Sequence, residues 1–470
     1  MSFDLIRDPE ILAGYLTDAS NVRGHAEALV RPHTAAQIVR IVRHCQETAT
    51  PLTVTAARTS TTAAPVPQGG WLLSMEALDR IEAIEHDHAI AQGGVRLGAL
   101  QDAIEARGRL YPPDPTSRRD CTLGASIATN ASGARSFRYG PTRPWVTALQ
   151  VVLPTGELLE VDRDTPVPDG WPLPSWPEPR VKTAAGYAPA RTLLDLFIGQ
   201  EGTLGIITRA TVRLTELPAS VFALLGFFPS RDAAVAFVQH ARASARADPY
   251  GPLSPRCLEY LDHHCLALAA GRVGGIPEGA RAALFCEQEI YGDEDDHLEA
   301  WLGALSDADA LIDDTLLAND PPTQARLHAL RHAIPAGINE RVVHNGMPKV
   351  GTDLAVPDDA LIEMMEAYEA APLPHVLFGH VGDNHLHLNL LPRNLDELQQ
   401  ARAYYDELAR RAIALGGTVS AEHGIGKLKR HQLAWMVGPQ TLAGFHRLKV
   451  RLDPAEILGR GNILAPSAGL

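Results

Sequence analysis

Two short segments in the last quarter of the chain carry side chains that could bind a metal ion or move a proton. Phe378–Asn389 contains three histidines within eight residues, and Ser420–Lys427 contains a glutamate followed by a histidine. Imidazole and carboxylate groups together are the ligands that divalent transition metals such as zinc prefer. Ordinary polar histidines beside a turn would give the same pattern, so the residues alone leave both interpretations open.

The spacing of the histidines predicts how they would meet. His385 and His387 are two residues apart, so in a strand they lie on the same face. The intervening Gly-Asp-Asn turn can fold His380 back toward them. A strand–turn–strand unit is therefore expected to hold this cluster.

Two other segments are rich in small residues. They are Thr122–Arg135, which interleaves hydroxyl side chains, and Gly199–Thr208, which has three glycines around one glutamate. Small side chains let a ligand lie against the backbone, where free N–H groups can bind phosphate or carbonyl oxygens. A tightly packed turn, or a simple entry into a strand, is the alternative interpretation of each segment.

Composition restricts the class of protein. The 470 residues suggest roughly two to four domains, and 45% hydrophobic with 21% charged residues is typical of a globular chain. The net charge of −14 argues against nucleic acid or an anionic membrane surface as a partner. The N-terminus lacks the basic-then-apolar order of a signal peptide, and no apolar run approaches the ~20 residues that span a bilayer.

Cysteine usage and missing motifs exclude several classes. The five cysteines form no C-x-x-C pair, so the chain carries no recognisable iron–sulfur or zinc-ribbon motif, and their sparseness suits a reducing compartment. We therefore expect a cytoplasmic protein. The sequence also lacks the G-x-G-x-x-G, Walker, H-E-x-x-H and G-x-S-x-G motifs, which argues against Rossmann dehydrogenases, P-loop NTPases, zinc proteases and α/β-hydrolases.

Hydrophobic periodicity predicts an α+β fold, with sheets covered by helices. A proline-rich surface loop is expected over Asp164–Glu178, and a domain boundary near Leu217–Ser220. The predicted strands are Pro51–Thr55, Trp71–Ser74, Ile81–Glu85, Ala89–Gln92, Ala148–Pro154, Leu158–Asp162, Ile206–Leu214, Val221–Phe228 and Leu284–Ile290. The predicted helices are Ala35–Gln46, Val95–Gly108, Leu193–Ile198, Arg231–Ala247 and Asp293–Leu305, with further alternation through residues 373–415.

The four motif segments, in this order and with the Asp-Pro turn of Leu452–Leu458, resemble the FAD-linked oxidases of the vanillyl-alcohol oxidase-like superfamily. The branch most similar is that of the D-2-hydroxyacid dehydrogenases: D-lactate and D-2-hydroxyglutarate dehydrogenase and the glycolate oxidase flavin subunit. The resemblance extends from about Val30 to Leu464. It implies a two-subdomain FAD-binding domain over 1–216, an α+β substrate (cap) domain over 217–416, and a short helical C-terminal segment over 417–470 that returns to the FAD domain with part of the active site.

The resemblance also implies noncovalent FAD. The loop that binds the FAD pyrophosphate in this family corresponds to Ala56–Ala63. Arg58, Thr59, Ser60 and Thr61 of this loop would surround the phosphates. This loop departs from the family pattern, because alanine and arginine stand at glycine positions and tolerate positive φ poorly. The implied isoalloxazine and ribityl contacts are Pro113, Thr116, Gly124, Ala125, Ser126, Thr129, Asn130 and Gly133, and those flanking the adenine are Glu201, Gly202, Gly205 and Ile206.

The resemblance further implies one divalent ion, zinc or manganese, held by His380, His387 and Glu422. His385 stands where the family has asparagine, so it would either contact substrate or add a ligand. His423 would be the general base, pointing away from Glu422 because adjacent residues on an extended segment face opposite ways. Arg331 and Lys349 match the cations that bind the substrate carboxylate, with surface charge as the alternative explanation.

The implied activity is FAD-dependent oxidation of a D-2-hydroxy acid to the 2-oxo acid, with metal-assisted deprotonation and hydride transfer to flavin N5. Electrons would leave to an external acceptor: a quinone, an electron-transfer flavoprotein, a cytochrome or an iron–sulfur subunit. Such a partner could place the protein at a membrane periphery, and a homodimer is left open. The alternatives are an alkyl-glycerone-phosphate synthase-like or aromatic-alcohol oxidase-like enzyme of the same fold, and a flavin-free metal-binding scaffold.

Overall fold

The computed structural model describes residues 3–273, 275–318 and 320–466. Its first half contains two main sheets. The ten strands of this half are β1 Ala28–Val30, β2 Leu52–Thr55, β3 Trp71–Ser74, β4 Ile81–Ile84, β5 His88–Gln92, β6 Arg109–Leu110, β7 Val146–Val152, β8 Leu158–Asp162, β9 Ile206–Arg213 and β10 Thr215–Glu216. Its helices are α1 Pro9–Ala13, α2 Ala35–Glu47, α3 Leu97–Glu105, α4 Leu123–Ala128, α5 Ser136–Tyr139 and α6 Leu193–Phe197.

The smaller sheet is parallel, in the order β1-β3-β2, and the larger is antiparallel, in the order β4-β5-β9-β7-β8. Helix α2 begins where the Thr34 side chain accepts the N–H of Gln37. Its apolar residues, including Ile38 and Val42, recur every three to four positions and pack on the smaller sheet. Each such buried aliphatic side chain contributes roughly 1.5–3 kcal/mol to this packing.

The second half is built on one large antiparallel sheet, in the order β14-β11-β13-β12-β17-β18-β15, with β16 paired to β18. Its strands are β11 Val221–Phe228, β12 Pro255–Asp262, β13 Ala282–Glu289, β14 Leu316–Ala318, β15 Val350–Gly351, β16 Leu354–Ala355, β17 His375–His380 and β18 His385–Leu390. Its helices are α7 Arg231–Ala247, α8 His263–Val273, α9 Glu294–Asp307, α10 Pro321–Asn345, α11 Leu361–Glu369, α12 Leu395–Ala414 and α13 Arg430–Leu452.

Helices cover both faces of the large sheet. On one face, Phe237 of α7 and Trp301 of α9 pack in the core with strand residues such as Leu224. On the other face, Leu266 of α8 and Leu330 of α10 pack in a separate core. Helix α5 of the N-terminal half contacts β12 and the turn that follows β17, so this part of the sheet lies against the first half of the chain.

The C-terminal segment returns to the N-terminal half. The N–H of Lys427 donates to Thr62 O at 2.9 Å, and that of Leu52 donates to Ile457 O at 2.7 Å. Asp453 closes the predicted Asp-Pro turn by accepting the N–H groups of Ile457 and Leu458. Residues of this segment thus lie against the first half of the chain.

The predicted α+β organisation is present, and Asp164–Glu178 contains no helix or strand. The sequence did not predict β12, α8 or α10, and it predicted a short helical segment within 417–470 without the bounds of α13. Helices α10 and α13 contain Pro335 and Pro439, which obscure a helical pattern, and α13 changes direction at Gly438 (φ 75°). Within the described residues, none of the helices has the length and apolar character needed to cross a bilayer.

Candidate active site and cofactor site

The β17–β18 hairpin brings three histidines together. His380, the last residue of β17, pairs directly with His385, the first residue of β18, and His387 follows on the same face. A short turn over Val381–Asp383 ends at Asn384, which adopts φ 52°. The buried Arg242 donates to Asn384 Oδ1, which fixes the turn. The predicted strand–turn–strand unit therefore positions the imidazoles as expected.

Glu422 reaches the three imidazoles from the C-terminal segment. Its Oε1 lies 3.3 Å from His387 Nε2, and its Oε2 lies 3.6 Å from His380 Nε2 and 3.9 Å from His385 Nδ1. One ligand atom from each of the four residues lies within 4.8 Å of the others. The structure thus brings together His380, His387 and Glu422, as the sequence predicted, and adds His385 to the same group.

Each imidazole also has a polar neighbour on the side away from Glu422. His380 Nδ1 lies 3.3 Å from Glu259 Oε1, His387 Nδ1 lies 3.0 Å from the carbonyl oxygen of Thr352, and His385 Nε2 lies 3.0 Å from Asp353 Oδ1. Such partners orient metal-binding histidines in proteins. For His380 and His387, this leaves Nε2 directed at Glu422.

Asp353 holds the segment that carries Glu422. Its carboxylate accepts the backbone N–H groups of Glu422 and His423 at 3.1 and 3.0 Å, and the ammonium group of Lys429 at 2.7 Å. Burial would raise the pKa of Asp353, but attraction to His423 and Lys429 outweighs burial and lowers it well below its usual range. A permanent carboxylate therefore anchors the position of Glu422.

Lys182 places a positive charge beside the same carboxylate. Its Nζ is 3.1 Å from Glu422 Oε2 and donates to Ser136 Oγ at 3.0 Å, and the side chain is only 4% exposed. Burial would raise the pKa of Glu422, but Lys182 and His380 lower it well below its usual range. Burial and Lys182 act to lower the pKa of His380. Glu422 and Glu259 outweigh them and raise this pKa above its usual value, to about 9.

His423 does not point away from Glu422, so this part of the prediction is wrong. Its ring stacks on that of His387 with centroids 5.4 Å apart. Its Nε2 lies 3.6 Å from Glu422 Oε1, and its Nδ1 lies 3.6 Å from Asp353 Oδ2. Residues 421–423 form a bend rather than an extended segment, because both N–H groups converge on Asp353. His423 remains 35% exposed and borders the histidine cluster.

Lys349 and Arg331 are the two cations predicted to bind the substrate carboxylate, and the structure describes the side chain of Lys349. Lys349 donates to Asn389 Oδ1 at 2.7 Å, and Asn389 is two residues beyond His387 on the same face of β18. Burial lowers the pKa of Lys349. Arg331 lies within α10, but its side chain is outside the described residues. The structure thus places one of the two cations beside the histidine strand.

The predicted pyrophosphate loop has an unusual backbone. Arg58 and Ala63 both have φ of 60°, as glycines would at these positions. Within the described part of the chain, the backbone N–H groups of residues 57–61, which include Thr59, Ser60 and Thr61, have no protein acceptor. The Arg58 guanidinium lies over the ring of Tyr15 and 3.3 Å from Glu76.

Free N–H groups beside a left-handed residue form a nest that binds anions. The loop therefore fits a phosphate group without its glycines, since Arg58 already adopts the required conformation. Lys427 adds positive charge nearby, donating to the carbonyl oxygens of Ala63 and Ala64 at 3.1 Å, and burial lowers its pKa to about 8. These residues of the chain can hold the phosphates of FAD.

The residues predicted to contact the isoalloxazine and ribityl chain differ in burial and in hydrogen bonding. The hydroxyls of Ser126 and Thr129 donate to carbonyl oxygens of their own helix, and Asn130 Oδ1 accepts the N–H of Arg143. Their side chains are thus already bonded. Pro113, Gly124 and Gly133 are buried, Ala125 is half-buried and Thr116 is exposed. These cofactor contacts stay predictions.

The predicted adenine-side residues are also partly engaged by protein. Gly205 and Ile206 are buried where β9 begins, and Ile206 is in the core of the smaller sheet. The Glu201 carboxylate accepts the N–H groups of Ile425 and Gly426. A Cβ at Gly202, by contrast, would meet no atom within 4 Å. Gly202 is thus the member of this group with open space beside it.

Comparison with known proteins identifies the family. Residues 217–463 match the C-terminal domain of FAD linked oxidases, and residues 26–162 match an FAD binding domain. The chain belongs to the FAD-linked oxidase family. It is 30% identical over 459 residues to "Glycolate oxidase subunit GlcD" of Bacillus subtilis (strain 168), covering 94% of this chain and 90% of that protein.

A second relative is similar over nearly its whole length, and a solved structure shares the fold. The "D-lactate dehydrogenase" of Anaerostipes hadrus is 29% identical over 478 residues, covering 97% of this chain and 93% of that protein. The solved structure of an alkyldihydroxyacetonephosphate synthase superposes with a TM-score of 0.71 at 17% identity, covering 97% of this chain and 81% of that one. The FAD-linked oxidase fold predicted from the sequence is therefore confirmed.

In this FAD-linked oxidase, Lys182 also lines a cavity of about 610 Å³. Four cationic and two anionic side chains line it: Arg138, Arg180, Lys182, Arg246, Asp358 and Asp383. Within the described residues, Arg180 forms neither an ion pair nor a hydrogen bond. Arg138, Arg246 and Lys182 pair with Glu289, Asp358 and Glu422, so Arg180 is the described cation of this lining that is free to bind a small anion.

Sequence reasoning missed Lys182, Asp353 and Glu259. Each reaches the histidines from a distant part of the chain, so no local spacing marks it. Asp353 follows Thr352 between two short strands, and a polar pair in that position is the one signal that could have drawn attention to it.

Proposed function

We propose that this protein oxidises the D enantiomer of a small 2-hydroxy acid, of the D-lactate, D-2-hydroxyglutarate or glycolate type, to the 2-oxo acid. The observation that carries the proposal is the convergence of His380, His387 and Glu422. Lys349 is held beside them by Asn389, which lies two residues beyond His387 on the same strand face. The named activities of the relatives support the same chemistry.

One divalent ion, zinc or manganese, is proposed to bind His380, His387 and Glu422. Two imidazole nitrogens and a carboxylate leave coordination positions for the hydroxyl and carboxylate oxygens of the substrate. Such an ion supplies Lewis acidity, which lowers the pKa of the substrate hydroxyl. His385 presents Nδ1 to the Glu422 carboxylate, 3.9 Å from Oε2, while Asp353 faces its Nε2, so it is placed to add a ligand.

The chain's own residues bind the substrate and accept its hydroxyl proton. His423 is the proposed general base, since it borders the cluster and remains partly exposed for exchange with solvent. Lys349, oriented by Asn389, and Arg331 are proposed to bind the substrate carboxylate. Lys182 keeps Glu422 ionised. Arg180 in the cavity beside Lys182 is proposed to favour the approach of an anionic acid.

FAD supplies the redox chemistry by accepting the hydrogen of the substrate Cα together with two electrons. Because the sequence carries no cluster or haem motif, the electrons are proposed to leave to an external acceptor: a quinone, an electron-transfer flavoprotein, a cytochrome or an iron–sulfur subunit. The loop over residues 57–61 is proposed to hold the pyrophosphate noncovalently.

The first test is flavin content. The purified protein, reconstituted with FAD, should show flavin absorbance near 370 and 450 nm, and acid precipitation should release the flavin into the supernatant. A colourless protein would contradict the proposal and support a flavin-free scaffold, and flavin that stays in the pellet would contradict noncovalent binding.

The second test is anaerobic bleaching of the bound flavin by the D and L forms of lactate and 2-hydroxyglutarate, and by glycolate. The D form of one acid should bleach the flavin faster than its L form. Equal or faster bleaching by the L acids would overturn the stereochemical assignment. Bound flavin that none of these acids bleaches would overturn the proposed activity.

A further inference from the structure

A second group of metal-type ligands lies at the other end of β17. Asp262 is the last residue of β12, His264 is the second residue of α8, and His375 is the first residue of β17. One carboxylate oxygen and one nitrogen from each imidazole lie within 4.8 Å of one another. Two segments, the β12–α8 junction and the beginning of β17, are more than a hundred residues apart in sequence and thus converge on one point.

The antiparallel register explains the convergence. Tyr260 of β12 pairs with Gly379 of β17 and Leu261 pairs with Phe378, so the end of β12, where α8 begins, lies toward the beginning of β17. The rings of His264 and His375 have centroids 5.1 Å apart, at 75° to each other. The ring of His263 lies 3.9 Å from that of His264.

The neighbours of these residues leave ligand atoms unused. Asp262 is only 6% exposed, and its Oδ1 accepts the N–H of Cys265 at 2.8 Å. Among the side chains that the structure describes, no lysine or arginine pairs with it. A buried carboxylate without a cation is costly. His375 Nδ1 lies 2.9 Å from the carbonyl oxygen of Leu373, so Nε2 is the atom left to face the group.

We propose that Asp262, His264 and His375 bind a divalent transition metal ion of the zinc class, with a structural role. Two imidazoles and one carboxylate suit such an ion, and water or the adjacent His263 completes the coordination. The ion compensates the buried charge of Asp262 and joins the beginning of α8 to the beginning of β17. The proposal does not rest on the proposed function.

This site is separate from the cluster at Glu422. His375 and His380 are the two ends of one six-residue strand, so their Cα atoms are about 17 Å apart at ~3.3 Å per residue. One ion cannot serve both groups. Strand β17 therefore connects them, and an ion at His375 stabilises the strand that presents His380.

The first test uses untagged wild-type protein stripped of metal with a chelator. Histidine modification by diethyl pyrocarbonate is followed by mass spectrometry, with and without added zinc chloride. Zinc should slow the modification of His264 and His375 several-fold, whereas the exposed His240 of α7 should react at an unchanged rate. Unchanged rates at both His264 and His375 would overturn the proposal.

The second test counts zinc by elemental analysis after dialysis of His264→Gln, His375→Gln and the matched control His240→Gln. Each of the first two variants should bind one zinc fewer per chain than wild type, and the control should bind the wild-type number. Circular dichroism of the metal-free proteins checks that folding is unchanged. Should both variants fail to fold, Asp262→Asn takes their place.

The same experiment separates this proposal from the proposed function. His380→Ala should lose a different ion, so the double variant His264→Gln/His380→Ala should bind none. A single zinc in wild type that is lost in His264→Gln and kept in His380→Ala would support this site. It would contradict the metal ion proposed at His380, His387 and Glu422. If His264→Gln and His375→Gln both retain the wild-type number, this proposal is wrong.

Discussion

The carboxylate of Glu201 accepts the backbone N–H of Gly426 at 2.7 Å. Glu201 precedes β9 in the N-terminal half, whereas Gly426 lies four residues beyond Glu422. The same carboxylate accepts the N–H of Ile425 at 2.8 Å. A Cβ added to Gly424 would lie 2.9 Å from the Glu201 side chain. The segment that carries Glu422 and His423 is therefore fastened to the first half of the chain.

Glu201 should make stability depend on pH. Burial raises its pKa to about 7, although the N–H groups of Ile425 and Gly426 act in the opposite direction. Because the folded pKa exceeds the unfolded value near 4.5, the folded state binds more protons between these values. The contribution of Glu201 to the free energy of unfolding should thus fall as pH rises from 4.5 to 7, by up to roughly 3 kcal/mol.

Urea unfolding of wild type and Glu201→Gln at several pH values measures this contribution. Glutamine does not titrate, so the free energy of unfolding of wild type minus that of the variant should fall as pH rises from 4.5 to 7 and then stay level. A difference that is constant from pH 4.5 to 7 would contradict the assignment.

Gly426 should not tolerate a side chain. Its φ is +50°, and an added Cβ would lie 2.1 Å from the carbonyl oxygen of Thr62. Gly426→Ala should therefore lower the free energy of unfolding by more than the ~1 kcal/mol expected for a left-handed alanine alone. Gly303→Ala is the matched control, because Gly303 is exposed in α9 with nothing within 4 Å of its Cβ position.

The control should be neutral, or more stable by about 0.5–1 kcal/mol, because alanine favours a helix. Thermal unfolding of both variants gives the comparison. Equal stabilities for the two variants would show that the C-terminal segment does not pack on the phosphate loop as described.

Local patterns in the sequence predicted the histidine hairpin. His385 and His387 are two residues apart, and the turn before them contains the asparagine that adopts positive φ. Both signals lie within ten residues, so they did not depend on the rest of the fold. Helix α7 was predicted at its observed limits for the same reason, since its apolar spacing is local.

Contacts between distant segments could not be predicted in this way. The direction of His423 was wrong because Asp353, seventy residues earlier, accepts both its N–H and that of Glu422. Lys182 likewise reaches Glu422 from the N-terminal half. These long-range contacts determine which atoms of the cluster face each other, and the sequence alone gives no spacing for them.

Metal binding at the Glu422 cluster should strengthen with pH. In the metal-free site, Glu422 and Glu259 outweigh burial and Lys182 and raise the pKa of His380 to about 9. A metal ion must displace that proton, so affinity should rise by up to about tenfold per pH unit below pH 9. Zinc titration of His264→Gln between pH 6 and 9 isolates this cluster from the second proposed site. An affinity that does not change with pH would contradict the displacement of a proton.

The final prediction separates the metal ligand from the base by mutation. His380→Ala should lose one metal ion and the bleaching of flavin by substrate, yet keep FAD, because the predicted flavin contacts lie in the N-terminal half. His423→Ala should keep both FAD and metal, since its backbone N–H rather than its ring supports Glu422 through Asp353. Its flavin reduction rate should nevertheless fall by ~10²–10⁴-fold.

The measurements are metal content by elemental analysis and stopped-flow bleaching under anaerobic conditions, with His240→Ala as an exposed control on α7. The pH profile provides a further check. If His423 is the base, the bleaching rate of wild type should rise with pH as His423 loses its proton, and His423→Ala should lack this rise. Full bleaching in chelator-stripped wild type would contradict the role of the metal. A full rate in His423→Ala would instead contradict the assignment of His423 as the base.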